Sequence, residues 1–96
     1  MYMRIFSAQA QPGTVDALAH RLQAFIADQL HGLPGFIQLY GGGDRSTNQV
    51  TLVSVWETQA HMAEASRHAQ AFAAEVQDLL VAAPVVTTYA ILAQGS

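Results

Sequence analysis

The 96-residue chain has no cysteine and no lysine. Without thiols it has no disulfide framework, no zinc–thiolate site and no cysteine nucleophile, a composition that fits a reducing interior. Its positive charge rests on Arg4, Arg21, Arg45 and Arg67, which are scattered, and the net charge is −3. Nucleic-acid binding needs clustered positive charge, so that class of partner is excluded. Only 11% of the residues are charged and 51% are hydrophobic, too apolar a balance for a disordered chain. No stretch approaches the roughly 20 apolar residues of a membrane helix. The N-terminal "MYMRIFSAQA" is interrupted by Arg4 and reads as a strand, not a signal peptide. The expectation is a soluble, cytoplasmic protein with one domain over residues 1–96, since this length suffices for one domain and no more.

What is present alternates between two periodicities. Residues 2–10 are rich in strand-forming types. After "QPG", Thr14 stands where a helix cap belongs, and Asp16 suits the positive end of the helix dipole. Val15, Leu18, Leu22 and Phe25 recur at helical spacing and predict helix one over 14–31. Gly32 suits a left-handed cap and Pro34 blocks continuation. "FIQLYG" and "QVTLVSVWE" form a predicted hairpin across a Gly- and Asn-rich turn that holds Asn48. Thr58 caps helix two, expected over 59–82, and Pro84 precedes a final strand, "VVTTYAIL". The order is β-α-β-β-α-β: an α+β, ferredoxin-like unit with a four-stranded antiparallel sheet.

In that topology both helices cover one face of the sheet, and the other face should alternate to polar. It does not. Strand three shows Val50, Leu52, Ser54 and Trp56 on one side and Thr51, Val53 and Val55 on the other. Strand two offers Ile37 and Leu39 against Phe36 and Tyr40, and strand four Val86, Ala90 and Leu92 against Val85, Tyr89 and Ile91. Soluble monomers seldom expose an apolar patch of that size. The expectation is a homodimer packed through its sheet faces.

The segment "LHGLPGFIQLYGGGDRSTNQVTLVSVWETQAHMAEA" resembles the antibiotic biosynthesis monooxygenase (ABM) family of dimeric α/β barrels. The resemblance lies in a Pro-Gly-aromatic lead into strand two, a strand ending in Trp-Glu-Thr, and a helix opening with Ala, His and Met. "LLVAAPVVTTYAIL" adds the family's last helix, proline and final strand, so nearly the whole chain is covered. Such a resemblance specifies fold better than chemistry. It implies a pocket in each subunit between helices and sheet, near Trp56. It also implies oxidation of an anthrone-like or quinol-like small molecule by molecular oxygen with no cofactor, neither metal nor flavin. The alternative is a non-catalytic dimeric module holding a small aromatic or apolar ligand in the same cleft. Haem degradation fits less well, because that branch carries an Asn on strand one, where this chain has none.

Trp56, His61 and Ser7 are the catalytic candidates. Trp56 either closes the core at its strand end or forms a wall of the pocket, and the two roles are compatible. His61 is poised by type to take a proton near neutral pH, and His68 shares its helical face two turns away, too far for an adjacent-turn metal pair. No metal site is expected. Binding candidates are Arg4, a cation among apolar neighbours that either snorkels or holds an anionic or phenolic ligand, and Ser54. Tyr40, Tyr89, His68 and Phe25 complete the set.

Overall fold

The computed structural model describes residues 1–95. It contains strands β1 (Tyr2–Gln9), β2 (Phe36–Asp44), β3 (Gln49–Trp56) and β4 (Val85–Ala90) and helices α1 (Val15–Phe25), α2 (Gln59–Glu64) and α3 (Ser66–Glu75). All strand pairs are antiparallel, in the order β2-β3-β1-β4. This is the expected ferredoxin-like α+β fold. No helix among the described residues is long and apolar enough to cross a membrane.

Residues opposite one another in an antiparallel pair share a face. Arg4 faces Ser54, Phe6 faces Leu52 and Ala8 faces Val50, so these six side chains lie together beneath the helices. Val15, Leu18, Leu22 and Phe25 turn the buried stripe of α1 onto them, joined by Met62, Phe72 and Val76. Phe25 stacks on Phe72, ring centres 4.6 Å apart. Burying each such side chain contributes about 1.5–3 kcal/mol.

Helix boundaries differ from the sequence expectation in instructive ways. Thr14 does not cap α1 with its side chain; its hydroxyl donates to the Gln11 and Leu79 carbonyls at 2.7 and 3.1 Å, tying the β1–α1 turn to the far helix. Beyond Phe25 the helix continues through a wider turn over Ile26–Leu30, where the His31 N–H donates to the Ile26 carbonyl at 3.0 Å. The expected single helix over 59–82 is two helices broken at Ala65, followed by a tight turn over Gln77–Leu79. The break coincides with Arg4 of the sheet donating to the Met62 carbonyl, a side chain inserted at the helix ladder. Thr58 does cap α2, accepting from the His61 N–H at 3.1 Å.

Two further corrections concern the hairpin and its approach. A bulge between Phe36 and Gln38 changes the phase of β2. Phe36 and Leu39 therefore share the helix side, and Ile37 and Tyr40 face away. Between helix one and β2 the left-handed glycine is Gly35 (φ 76°), not Gly32. Its missing side chain makes room for the His61 ring, because a Cβ there would lie 2.3 Å from the ring. Asn48, at φ 62°, takes the left-handed position of the hairpin turn, as expected of a turn Asn.

Gly35→Ala should destabilise the domain by at least about 2 kcal/mol in urea unfolding, from backbone strain plus the clash. Gly32→Ala, which meets open space, should stay within about 0.5 kcal/mol of the parent. Equal effects would contradict the assignment of the left-handed position.

Candidate functional site: spaces between helices and sheet

Four side chains expected at the site, Arg4, Phe25, Ser54 and Trp56, do come together. Trp56 is 1% exposed; its indole N–H donates to Ser54 Oγ at 3.0 Å, and its ring tilts against Phe36 with centres 5.3 Å apart. Arg4, opposite Ser54, is 8% exposed. Its Nη2 donates to the Met62 carbonyl and to Ser66 Oγ, each at 2.7 Å. Burial pushes the Arg4 guanidinium below its ordinary value, yet an arginine stays protonated near neutral pH. Among the described residues the ion pairs are Arg21–Asp78 and Arg45–Asp16. Arg4 is thus a buried cation held by neutral acceptors.

The space bounded by Arg4, Ser54, Trp56, Phe25 and Phe72 holds only about 40 Å³. That accommodates a water or two, not an aromatic ring. Trp56 in this conformation closes the core and does not line an open slot. Two larger spaces flank it. One, about 200 Å³, lies between α1 and the β2–β3 hairpin. It exists because β2 has glycine where side chains would point inward: Gly41 opposite Leu52 and Gly43 opposite Val50. A Cβ on Gly41 would come within 2.5 Å of Leu22 Cδ2. Apolar cavities of about 150 Å³ take up a benzene molecule, so one ring fits inside, and further rings of a fused system would project through the open side. The other, about 260 Å³, opens between α3 and β4 and is bounded by Arg4, Ser66, Gln70 and Val86. Phe6 borders all three spaces.

Asp16 and Arg45 stand at the mouth of the glycine-floored cavity. Arg45 Nη2 donates to Asp16 Oδ1 at 2.6 Å and Nε to both carboxylate oxygens at 3.1 Å, latching the hairpin onto the first turn of α1. The Arg45 guanidinium holds the Asp16 carboxyl below its usual range, by hydrogen bonding first and charge second. Sequence spacing gave no sign of this latch, since its partners are 29 positions apart.

The remaining candidates lie elsewhere. Ser7 pairs with Thr51 and Val85, Tyr40 with Val53 and Tyr89 with Met3. Pairing phase puts all three on the outer face of the sheet, away from Trp56, and Tyr40 and Tyr89 are 67% and 52% exposed. His61 lines none of these spaces; its Nδ1 sits 3.0 Å from Thr58 Oγ1, and its ring packs on Gly35. His68 Nδ1 lies 3.3 Å from Gln29 Oε1 on the surface.

A four-stranded antiparallel sheet, covered on one face by helices that leave small chambers above it, defines a class of α+β domains. Within that class, the model of the antibiotic biosynthesis monooxygenase family matches residues 1–79, and the chain belongs to that family. No curated protein matches it. Among solved structures it is similar to a proposed antibiotic biosynthesis monooxygenase from Nitrosomonas europaea. That pair has a TM-score of 0.80 and 16% identity, over 97% of this chain and all of that one. It is also similar to Rv0793 from Mycobacterium tuberculosis, with a TM-score of 0.77, 21% identity, and 99% and 98% of the two chains covered. A proposed antibiotic biosynthesis monooxygenase from Chloroflexus aurantiacus J-10-fl gives a TM-score of 0.74 at 20% identity, over 99% and 96%. At such identities the likeness concerns the fold.

Because the Asp16 pKa is depressed in the fold, the latch contributes stability above the unfolded aspartate value, about 3.9, and loses it as pH falls through the folded value. Carbon NMR should find the Asp16 midpoint below 3.9 in the parent and moved upward in Arg45→Ala; an unmoved midpoint would show that the pair is not formed in solution. Gly41→Ala should destabilise by about 1 kcal/mol, the low end of overpacking, because the displaced Leu22 Cδ2 has the cavity to move into, whereas Gly42→Ala, with nothing within reach, should not. Thermal unfolding of the two variants decides this.

Proposed function

We propose that this chain is a small monooxygenase that works without a cofactor on an aromatic, quinol-like molecule held between helices and sheet. The observation that carries the reading is the glycine-floored cavity of about 200 Å³ under α1, in a chain of the antibiotic biosynthesis monooxygenase family. An anthrone-type substrate supplies its own electrons. Loss of a proton from its CH2 gives a carbanion that passes an electron to molecular oxygen; recombination gives a hydroperoxide, which eliminates water. One oxygen atom ends in the new carbonyl and the other in water. The protein excludes solvent, holds the ring flat against the hairpin, and lets the departing proton leave to water at the cavity mouth beside Asp16 and Arg45.

The same reading includes a cytoplasmic homodimer joined through the outer sheet faces. Its support is the apolar outer face itself, where Ile37, Tyr40, Val85 and Tyr89 are exposed. A non-catalytic ligand-binding dimer is the second reading. It is favoured by the way Trp56 and Ser54 satisfy each other, which leaves few convergent polar groups for chemistry.

Oxygen uptake with a panel of anthrones tests the proposal. The parent should consume one oxygen per ketone formed, and Ala19→Trp, which fills the cavity from its helix side, should lower kcat/KM more than tenfold. Equal rates in the two would remove this cavity from the reaction. Ligand-induced shifts without oxygen uptake by the parent would leave the binding module standing.

A further inference from the structure

We propose that the cleft between α3 and β4 is a binding site for the carboxylate of a small aromatic acid, anchored by Arg4. The inference does not rest on oxygenation; it rests on an unbalanced buried charge. An arginine carries five N–H groups. Two, on Nη2, are taken by the Met62 carbonyl and Ser66 Oγ. The other three, on Nε and Nη1, have no acceptor among the described residues. No fully enclosed side-chain nitrogen or oxygen lacks a partner there, so Nε and Nη1 open onto the adjoining spaces. The residue as a whole is nonetheless more than nine-tenths buried.

A cation withdrawn from water without a carboxylate is unfavourable unless other groups compensate it. Here two neutral oxygens hold the guanidinium at the break in the helix, which fixes its orientation and leaves its charge to be met. The cleft beside it has the matching chemistry. Ser66 and Gln70 add polar groups along α3, while Phe6 and Val86 supply an apolar wall on the sheet. Arg4 is the one charged residue bounding the cleft, so a singly charged group balances it and a phosphate dianion would not be neutralised. The volume, about 260 Å³, exceeds the roughly 150 Å³ that accepts a benzene molecule and leaves room for a carboxylate beside one ring. Hydrogen bonds from a charged donor to a carboxylate are about twice as strong as neutral ones, and low local dielectric strengthens them.

Benzoate and benzamide are probes matched in shape and differing in charge. Proton–nitrogen NMR of the parent at neutral pH should show benzoate shifting the Arg4 Nε–H and the Ser66 amide, with an affinity at least tenfold above that of benzamide. Arg4→Met should abolish the preference while the circular dichroism spectrum is kept and the Tm is unchanged or raised, since an apolar replacement removes a buried charge. Arg4→Lys should retain part of the preference. Equal affinities for the two probes in the parent would overturn the inference, and this comparison needs no variant to fold. A preference that survives in folded Arg4→Met, or shifts confined to surface arginines, would overturn it as well. A chain that prefers benzoate but consumes no oxygen keeps this site and loses the oxygenase reading.

Discussion

Alternate residues of a strand face opposite sides of the sheet, and that simple period governs this molecule. In β1 and β3 it is never interrupted, so Arg4, Phe6 and Ala8 stand opposite Ser54, Leu52 and Val50 beneath the helices. A slip of one residue would send Arg4, Ser54 and Trp56 to the far side and bring Ile5, Val53 and Val55 inward. The central pair of strands thus fixes both the core and the one cation inside it. The helices take their places on that pattern. α1 lays Leu18, Leu22 and Phe25 over it, and the second helical segment breaks at Ala65, where Arg4 reaches up to Met62 and Ser66.

Absence of side chains shapes the molecule as much as their presence. Gly41 and Gly43 remove two inward-pointing groups from β2, and the space they leave lies directly under α1. Trp56 has the opposite effect at the other end of the sheet: with Phe36 and Ser54 it fills its corner almost completely. Room for a ligand therefore lies to either side of Phe6 and not at the tryptophan. The Asp16–Arg45 latch closes one side over the hairpin, and the guanidinium of Arg4 borders the other.

Much of this was legible in the sequence because it depends on local periods. The strand phase that put Trp56 with Leu52 and Ser54 is the observed one, as are the Thr58 cap and the Asn48 turn. Resemblance supplied the family, and the match over residues 1–79 establishes it. What could not be read arises from events outside any local pattern. The bulge at Ile37 shifts the phase of β2 by one residue, which turns Phe36 inward. By contrast, Ser7 lies three residues from Arg4 and Tyr89 pairs with Met3, so strand alternation puts both on the outer face; choosing them by residue type passed over that local period. His61, singled out by residue type as a proton carrier, packs against the left-handed turn at Gly35 and borders none of the three spaces around Phe6. The cavity and its latch join residues far apart in the chain, so no spacing rule announces them.

The same period leaves Ile5, Val53, Val55, Val85 and Tyr89 together on the face that no helix covers. At about 25 cal/mol per Å², an apolar surface of several hundred Å² drives association strongly before entropic costs are counted. The proposed homodimer follows from that imbalance. Sedimentation velocity of the chain at micromolar concentration tests it most directly. The parent should sediment as one species of twice the chain mass, and Val53→Asp should shift it toward the monomer; a parent protein that sediments as a stable, soluble monomer at every concentration would contradict the sheet-to-sheet dimer.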